Sequence, residues 1–419
     1  MTNKKTLLIQ PNNFDPIGLK VIGSYLSKNG INNELINYSN KESLTEKLIE
    51  SKPDFVGTTL WTGSMILNYL EIVNIIRKYS PNTKIVVGGP HASILPEQVL
   101  NESDCDFVVS GDGETAMLKI TKDDFKNENG ILFKENNTIK GNTILRTDSL
   151  DLVESIFDNF PPNTYKKNWS DKVVRTYTSK GCPHHCAFCY HSYIDNKMRY
   201  KSLDLVKQEL ILLKEKFSIS DINLFDDNLS VNKKRANEIF KMFEKLNINY
   251  QFAARIDGLD EEFIKMMKNT GCNSVYLGLE SGSDRILKFI DKKFSSKDIR
   301  DKVRLLNQQG IRCHSSFMIN FPTETKKDLD DTKLLASDIG SFANSFSLYA
   351  PYPRTKLFDY INENYPGAKL PKTLKDWADI NFFNYVSEIS ELKLDDILSF
   401  CNFFNVKVYE KDNLHKTSI

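Results

Sequence analysis

The chain is 419 residues long, with 56 Lys and Arg against 55 Asp and Glu for a formal net charge of +1, and 40% hydrophobic residues. That length exceeds what one hydrophobic core supports and predicts two or three domains, while the even charge balance gives no footprint for nucleic acid or an anionic membrane. No apolar run reaches the ~18 residues of a membrane span, the opening "MTNKKTLLIQPNNF" lacks a signal-peptide core, and four of the seven cysteines (Cys105, Cys272, Cys313, Cys401) lie scattered without a disulfide framework, so a cytoplasmic protein acting on a small molecule or peptide is expected.

The first third alternates two signals. Short apolar runs, "TLLIQP" (6–11), "NELIN" (33–37), "DFVGTTL" (54–60), "KIVVGG" (84–89) and "DFVVSG" (106–111), read as strands. Helical patterns lie between them, such as "SMILNYLEIVNIIRKYS", where Ile66, Leu70, Val73 and Ile76 mark one apolar face. This alternation predicts a doubly wound, Rossmann-like parallel sheet, whose ligands sit outside the carboxyl ends of the strands. The unusual residues fall at that edge: 12–18, 58–63, 88–91 and 111–114. "ILFKENNTIKGN" then reads as a hairpin and "DNFPPNTYKKNWSD" as a linker.

From Val173 a second βα series begins, with strand candidates "VVRTYTS", "INLFDDN", "YQFAARID", "SVYLGLES", "RCHSSFMINFP" and "SFSLYAPYP". Six βα units predict a partial, TIM-like (β/α)6 barrel with its chemistry at the strand ends. The expected division is 1–145 for the sheet domain, 146–172 for the linker, 173–355 for the barrel and 356–419 for a mainly helical C-terminal segment. The aromatic stretches "WADINFFNYV" and "FCNFF" read as core packing or as a cover for a substrate opening.

Directly after the first barrel strand stands "TSKGCPHHCAFCYHSYID" (178–195), with Cys182, Cys186 and Cys189 spaced C-x3-C-x2-C. A disulfide would leave one thiol over, in a compartment that disfavours it. Structural zinc needs a fourth ligand, which a neighbouring histidine could supply, but closed zinc sites usually come as two separated pairs. Three thiolates on an iron-sulfur cluster leave one iron open to a substrate or cofactor.

C-x3-C-x2-C with Phe188 before the last cysteine, heading a six-unit βα barrel, resembles the radical S-adenosylmethionine (SAM) enzymes. The resemblance implies a 4Fe-4S cluster on Cys182, Cys186 and Cys189, whose open iron chelates SAM and whose electron releases a 5′-deoxyadenosyl radical. An external electron donor such as flavodoxin or ferredoxin is implied with it. "FDDN", "FAARID", "LGLESGSD", "FMINFPTET" and "YAPYPRTKLF" resemble the later strands of the branch that carries an N-terminal cobalamin-binding domain. "VVGGPHAS" and "VSGDGETA" resemble that domain's nucleotide-tail motifs, with Asp112 where glutamate is frequent.

For cobalamin the resemblance implies Thr58, Trp61, Gly88, Gly89, His91, Gly111, Gly113 and Glu114, the glycines letting backbone approach the corrin and its tail. Trp61 is large enough to lie under the corrin, or packs between loop and sheet. In "DPIGLK", Ile17 occupies the offset from Asp15 at which cobalamin domains of the D-x-H-x-x-G type place a cobalt-ligating histidine. Cobalamin without a protein histidine ligand is therefore expected. For SAM the candidates are Glu280 on its ammonium, Ser281, Asn228, Phe188 and Arg255. Arg255 lies in an otherwise apolar strand, where an unpaired charge is costly, so it is expected to pair with a carboxylate, from SAM or from a protein acid near Asp257. Asp226 and Asp227 bind SAM ribose or substrate, or start a helix. His184, His185 and His191 are expected to be loop residues.

The function this implies is methylation of an unactivated carbon, one SAM charging cobalamin and another supplying the radical, with cobalamin facing the barrel mouth. The alternatives are a radical rearrangement, cyclisation or oxidation in which cobalamin moves no methyl, and a non-enzymatic cobalamin or cluster sensor. The substrate carries no motif.

Overall fold

A computed structural model describes residues 4–141, 144–167, 170–381 and 388–406. The chain forms two compact units, Met1–Pro161 with Pro371–Ile380, and Pro162–Leu370 with Asn381–Ile419. The division falls inside the stretch expected as linker, and residues 371–380 leave the expected C-terminal segment to join the first unit. "FFNYV" of the aromatic tail lies outside the described residues.

In the first unit, strands β1 (Lys5–Gln10), β2 (Asn32–Asn37), β3 (Phe55–Thr59), β4 (Lys84–Gly88) and β5 (Phe107–Val109) pair in parallel, in the order β2-β1-β3-β4-β5. The hairpin β6 (Ile131–Glu135) and β7 (Thr138–Lys140) extends the sheet antiparallel. Leu7, Leu8 and Ile9 are all buried, as expected of a strand covered on both faces. The strand order reverses between β1 and β3, which opens a crevice at their carboxyl ends. Helix Met65–Tyr79 buries Ile66, Tyr69, Val73 and Ile76. Tyr69 takes the inward place the sequence assigned to Leu70, because its hydroxyl finds Ser103 Oγ at 2.7 Å.

In the second unit, β8 (Thr164–Lys167) is an antiparallel edge on β9 (Ser170–Thr176). A two-residue ribbon, β10 (Ser179–Lys180) with β11 (Arg199–Tyr200), follows. β12 (Asp221–Leu224), β13 (Asn249–Ala254), β14 (Cys272–Glu280), β15 (Arg312–Ile319) and β16 (Ala343–Leu348) continue in parallel from β9, one after another. Ser202, Asn232, Asp260, Ser295 and Thr325 each cap the following helix through the side chain, the last two in capping boxes with Asp298 and Asp328. These caps end each strand-to-helix loop sharply, so loop residues are held at the strand ends. β15 alternates, with Cys313, Ser315, Phe317 and Ile319 buried and His314, Ser316 and Met318 partly exposed on the other face.

The turn after β1 holds one buried ion pair. Lys20 Nζ lies 2.8 Å from Asp15 Oδ1, with both side chains nearly enclosed. Removing one partner of such a pair leaves an uncompensated charge and costs ~3–5 kcal/mol. Lys20→Met should lower unfolding stability by about that much in urea titrations, and adding Asp15→Asn should restore part of it. An unchanged midpoint in Lys20→Met would contradict the pairing.

Candidate active site

The cysteine loop is clasped before its first thiol. Asp226, buried at the end of β12, accepts from Thr178 N and Thr178 Oγ1 at 2.7 Å each and also from Ser179 Oγ. Asp227 accepts from Gly181 N at 2.6 Å and faces His191 Nε2 at 3.4 Å. Gly181 has φ +91, and a Cβ there would stand 2.1 Å from Lys197 O, so only glycine fits this bend. Further along, Cys182 N donates to Asp195 O, Ala187 N to Ile290 O and Cys189 N to Cys186 O, each at 3.0 Å. "FDDN" thus fastens the loop, a role that sequence reasoning missed for both aspartates.

The three thiols stand close together: Cys186 raises Cys182, and both raise Cys189. Burial pushes the Cys182 thiol up and that of Cys189 to about 12, and a bound metal would take the proton's place. Among the described residues no three His, Cys, Asp or Glu side chains are grouped so as to hold a single metal ion. The surroundings fit a set of thiolates. Arg255 NH1 donates to Cys186 Sγ at 3.0 Å, Asn228 nearby favours the Cys182 thiolate, and the Lys292 charge favours the Cys189 thiolate.

Glu280 ends β14 with φ +65, in the left-handed region, and its Oε1 accepts from Lys292 Nζ at 2.9 Å. Lys292 also donates to Gly278 O at 3.1 Å and lies 5.6 Å from the centre of the Phe188 ring. Sequence reasoning missed Lys292, whose signal was the first lysine of "IDKK", 12 positions after the glutamate. Arg255 holds Asp257 through Nε at 3.1 Å and NH2 at 2.9 Å, so the protein supplies the carboxylate it needed. The Ser281 hydroxyl is engaged with Thr332 Oγ1 and Ser283 N, and Ser283 caps the next helix. Asp227, Arg255 and Lys292 border a cavity of about 360 Å³ whose wall includes Tyr276, stacked on His314 at 4.7 Å between centres.

The first unit's candidates gather at the carboxyl ends of its strands, several with work inside the protein. Thr58 Oγ1 donates to Ile9 O at 2.9 Å, and Trp61 is 42% exposed rather than packed away. A Cβ on Gly89 (φ +95) would meet Thr59 Oγ1 at 2.4 Å, and one on Gly111 (φ +104) Leu145 O at 2.0 Å. Crowding by the chain itself requires these glycines, whatever approaches them from outside. Gly88 ends β4, Gly113 opens the helix packed on Ile22, and Glu114 lies buried in its first turn. The Asp112 carboxylate accepts from Thr147 N at 2.8 Å, tying down the segment after the hairpin. His91 is buried, its Nδ1 2.8 Å from Thr62 Oγ1 and its ring edge-on to Trp377.

Comparison with known proteins agrees with this division. Residues 176–336 match the model of the Radical SAM superfamily, and residues 10–121 that of the B12 binding domain. The chain is 32% identical over 325 residues to an uncharacterized methyltransferase of Pyrococcus horikoshii, spanning 74% of this chain and 70% of that one. It is 25% identical to an anaerobic magnesium-protoporphyrin IX monomethyl ester cyclase of Cereibacter sphaeroides, over 78% of this chain and 56% of the cyclase. The solved structure of the radical S-adenosylmethionine methyltransferase TsrM from Kitasatospora setae, with cobalamin and a [4Fe-4S] cluster, superposes with a TM-score of 0.78 over 100% of this chain and 93% of that one. At 16% identity that likeness is one of fold.

Two measurements check the site. Cys186→Ala should lose most of the iron bound after anaerobic reconstitution, whereas Cys272→Ala and Cys313→Ala should keep it; zinc taken up in place of iron would contradict the assignment. Glu324, buried in "FPTET" with Oε2 accepting from Phe321 N at 2.9 Å, is raised by burial to about 8. An unfolded glutamate titrates near ~4.3, so between these values the unfolded chain releases a proton that the folded chain keeps. Stability should therefore fall as pH rises from ~4.3 through about 8. Glu324→Gln should flatten that fall in unfolding measured at intervals across it, and equal pH slopes in the two proteins would refute the burial effect.

Proposed function

This chain belongs to the radical SAM superfamily and carries a B12 binding domain, and from that premise we propose that it methylates an unactivated carbon of a small molecule or peptide. The observation that carries the reading is that Arg255, bonded to Cys186 of the three-thiol loop, and Lys292, bonded to Glu280, share the wall of one cavity. Bound there, a 4Fe-4S cluster would supply an electron to SAM, and cobalamin in the other unit would carry a methyl group. Glu280 takes the SAM ammonium and Lys292 its carboxylate, exchanging the bond they make to each other for two bonds to the zwitterion. Ser281, next to Glu280, is braced by Thr332 and Ser283, Phe188 lies under the Lys292 charge, and Asn228 favours the Cys182 thiolate. The electron comes from a flavodoxin- or ferredoxin-like donor. No helix among the described residues is long and apolar enough to cross a membrane.

Cobalt in this reading has no protein nitrogen ligand. His91 is the one histidine of the first unit, and it lies enclosed between Thr62 and Trp377, with burial holding it neutral down to about 4. Ile17 begins the helix after β1, and Asp15 faces Lys20 instead of an imidazole. Thr58, Trp61, Gly88, Gly89, Gly111, Gly113 and Glu114 frame the same edge. The likeness to the cyclase favours a second reading, a radical cyclisation or rearrangement without methyl transfer.

Incubating the reduced, cobalamin-loaded protein with methyl-labelled SAM separates the two. Methylation predicts labelled methyl on cobalamin and release of S-adenosylhomocysteine even before a substrate is known. Release of 5′-deoxyadenosine with no S-adenosylhomocysteine would favour the second reading. Paramagnetic resonance of the cobalt(II) state should show no splitting from an axial nitrogen, and such splitting would refute the ligand-free assignment.

A further inference from the structure

Arg255 follows β13 in extended backbone and is 8% exposed. Its guanidinium is oriented on two sides. Nε and NH2 grip both oxygens of Asp257, at 3.1 and 2.9 Å, and the remaining arm, NH1, donates to Cys186 Sγ at 3.0 Å. The Phe294 ring lies 5.6 Å from the guanidinium carbon, and the cation is therefore fixed among groups that leave it little freedom. An arginine fork held at one end by a bidentate carboxylate is pre-organised at the other.

We propose that Arg255 sets the reduction potential of the cluster by donating a charged hydrogen bond to the Cys186 sulfur, with Asp257 as its orienting partner. The inference rests on the cluster assignment above and goes beyond it. Reduction adds negative charge to a cluster, and some of that charge resides on its cysteine sulfurs. A positive donor against one of them stabilises the reduced state and raises the potential, as hydrogen bonds to cluster sulfurs and nearby charge generally do. Asp257 has a double effect: it aims the guanidinium and its own negative charge offsets part of the cation's influence. Cys186 is the thiol so contacted, and it is also the buried one of the three, where screening by water is weakest.

The test is a redox titration of the reconstituted protein, followed by the paramagnetic signal of the reduced cluster and run before SAM is added. Arg255→Gln should move the midpoint to a more negative value, and Arg255→Lys, which keeps the charge but loses the fork, should fall between Gln and wild type. An unchanged midpoint in Arg255→Gln, with iron content equal to wild type, would overturn the proposal. A role confined to SAM binding would leave these SAM-free midpoints alone. If Arg255→Gln does not load iron, Arg255→Lys decides: a midpoint below wild type supports the proposal, and an unchanged or higher one overturns it. Wild-type protein that binds no iron would instead defeat the cluster assignment itself, so the two failures are distinct.

Discussion

The site depends on two adjacent carboxylates that never need to meet a ligand. Asp226 and Asp227, at the end of β12, hold the backbone and hydroxyls of Thr178, Ser179 and Gly181, the residues that lead into Cys182. Asp226 is buried, and burial raises its carboxyl, so its place is affordable only because three donors converge on it. Loop residues would otherwise sample many conformations, and a cluster needs its thiols at fixed separations. Pairing β9 to β12 brings strand and clasp together, and so the barrel topology itself delivers the loop.

A second constraint operates at the end of β14. Glu280 sits at φ +65, a conformation that costs a non-glycine residue ~1–3 kcal/mol. Two features hold it there: the bond from Lys292, and Gly278, where a Cβ would lie 2.5 Å from Glu280 Oε1. The result is a carboxylate and an ammonium, both nearly buried and bonded to each other, with the ammonium on the cavity wall. Such a pair gains little stability for a fold. It suits a zwitterionic ligand, whose two charges match it.

Much of this was legible in the sequence. The strands of the two series were readable, β1, β3 and β4 as short continuous apolar runs bounded by turn residues and β15 by its alternation. The thiol loop was visible for the same reason that it is chemical: three cysteines in eight positions have few other uses. Pairings between distant residues were not legible. Lys292 reads as one lysine among many, and only the bend that returns it to β14 makes it a partner for Glu280. Arg255 was known to need a carboxylate, yet its bond to Cys186 joins residues 69 positions apart. Gly89 and Gly111 were read as making room for a cofactor, and the chain's own atoms crowd them as well, which the sequence did not reveal. The return of residues 371–380 to the first unit carried no local signal, since Trp377 reaches Gln98 and His91 only through tertiary structure.

The central claim is that SAM binds the open iron of a cluster on this loop, oriented by the Glu280–Lys292 pair. The most direct measurement is the paramagnetic resonance spectrum of the reduced, iron-loaded protein with and without SAM. Wild type should show a changed spectrum when SAM is added, and Lys292→Met should show the SAM-free spectrum at the same SAM concentration. Identical wild-type spectra with and without SAM, in protein carrying its full iron, would contradict the account.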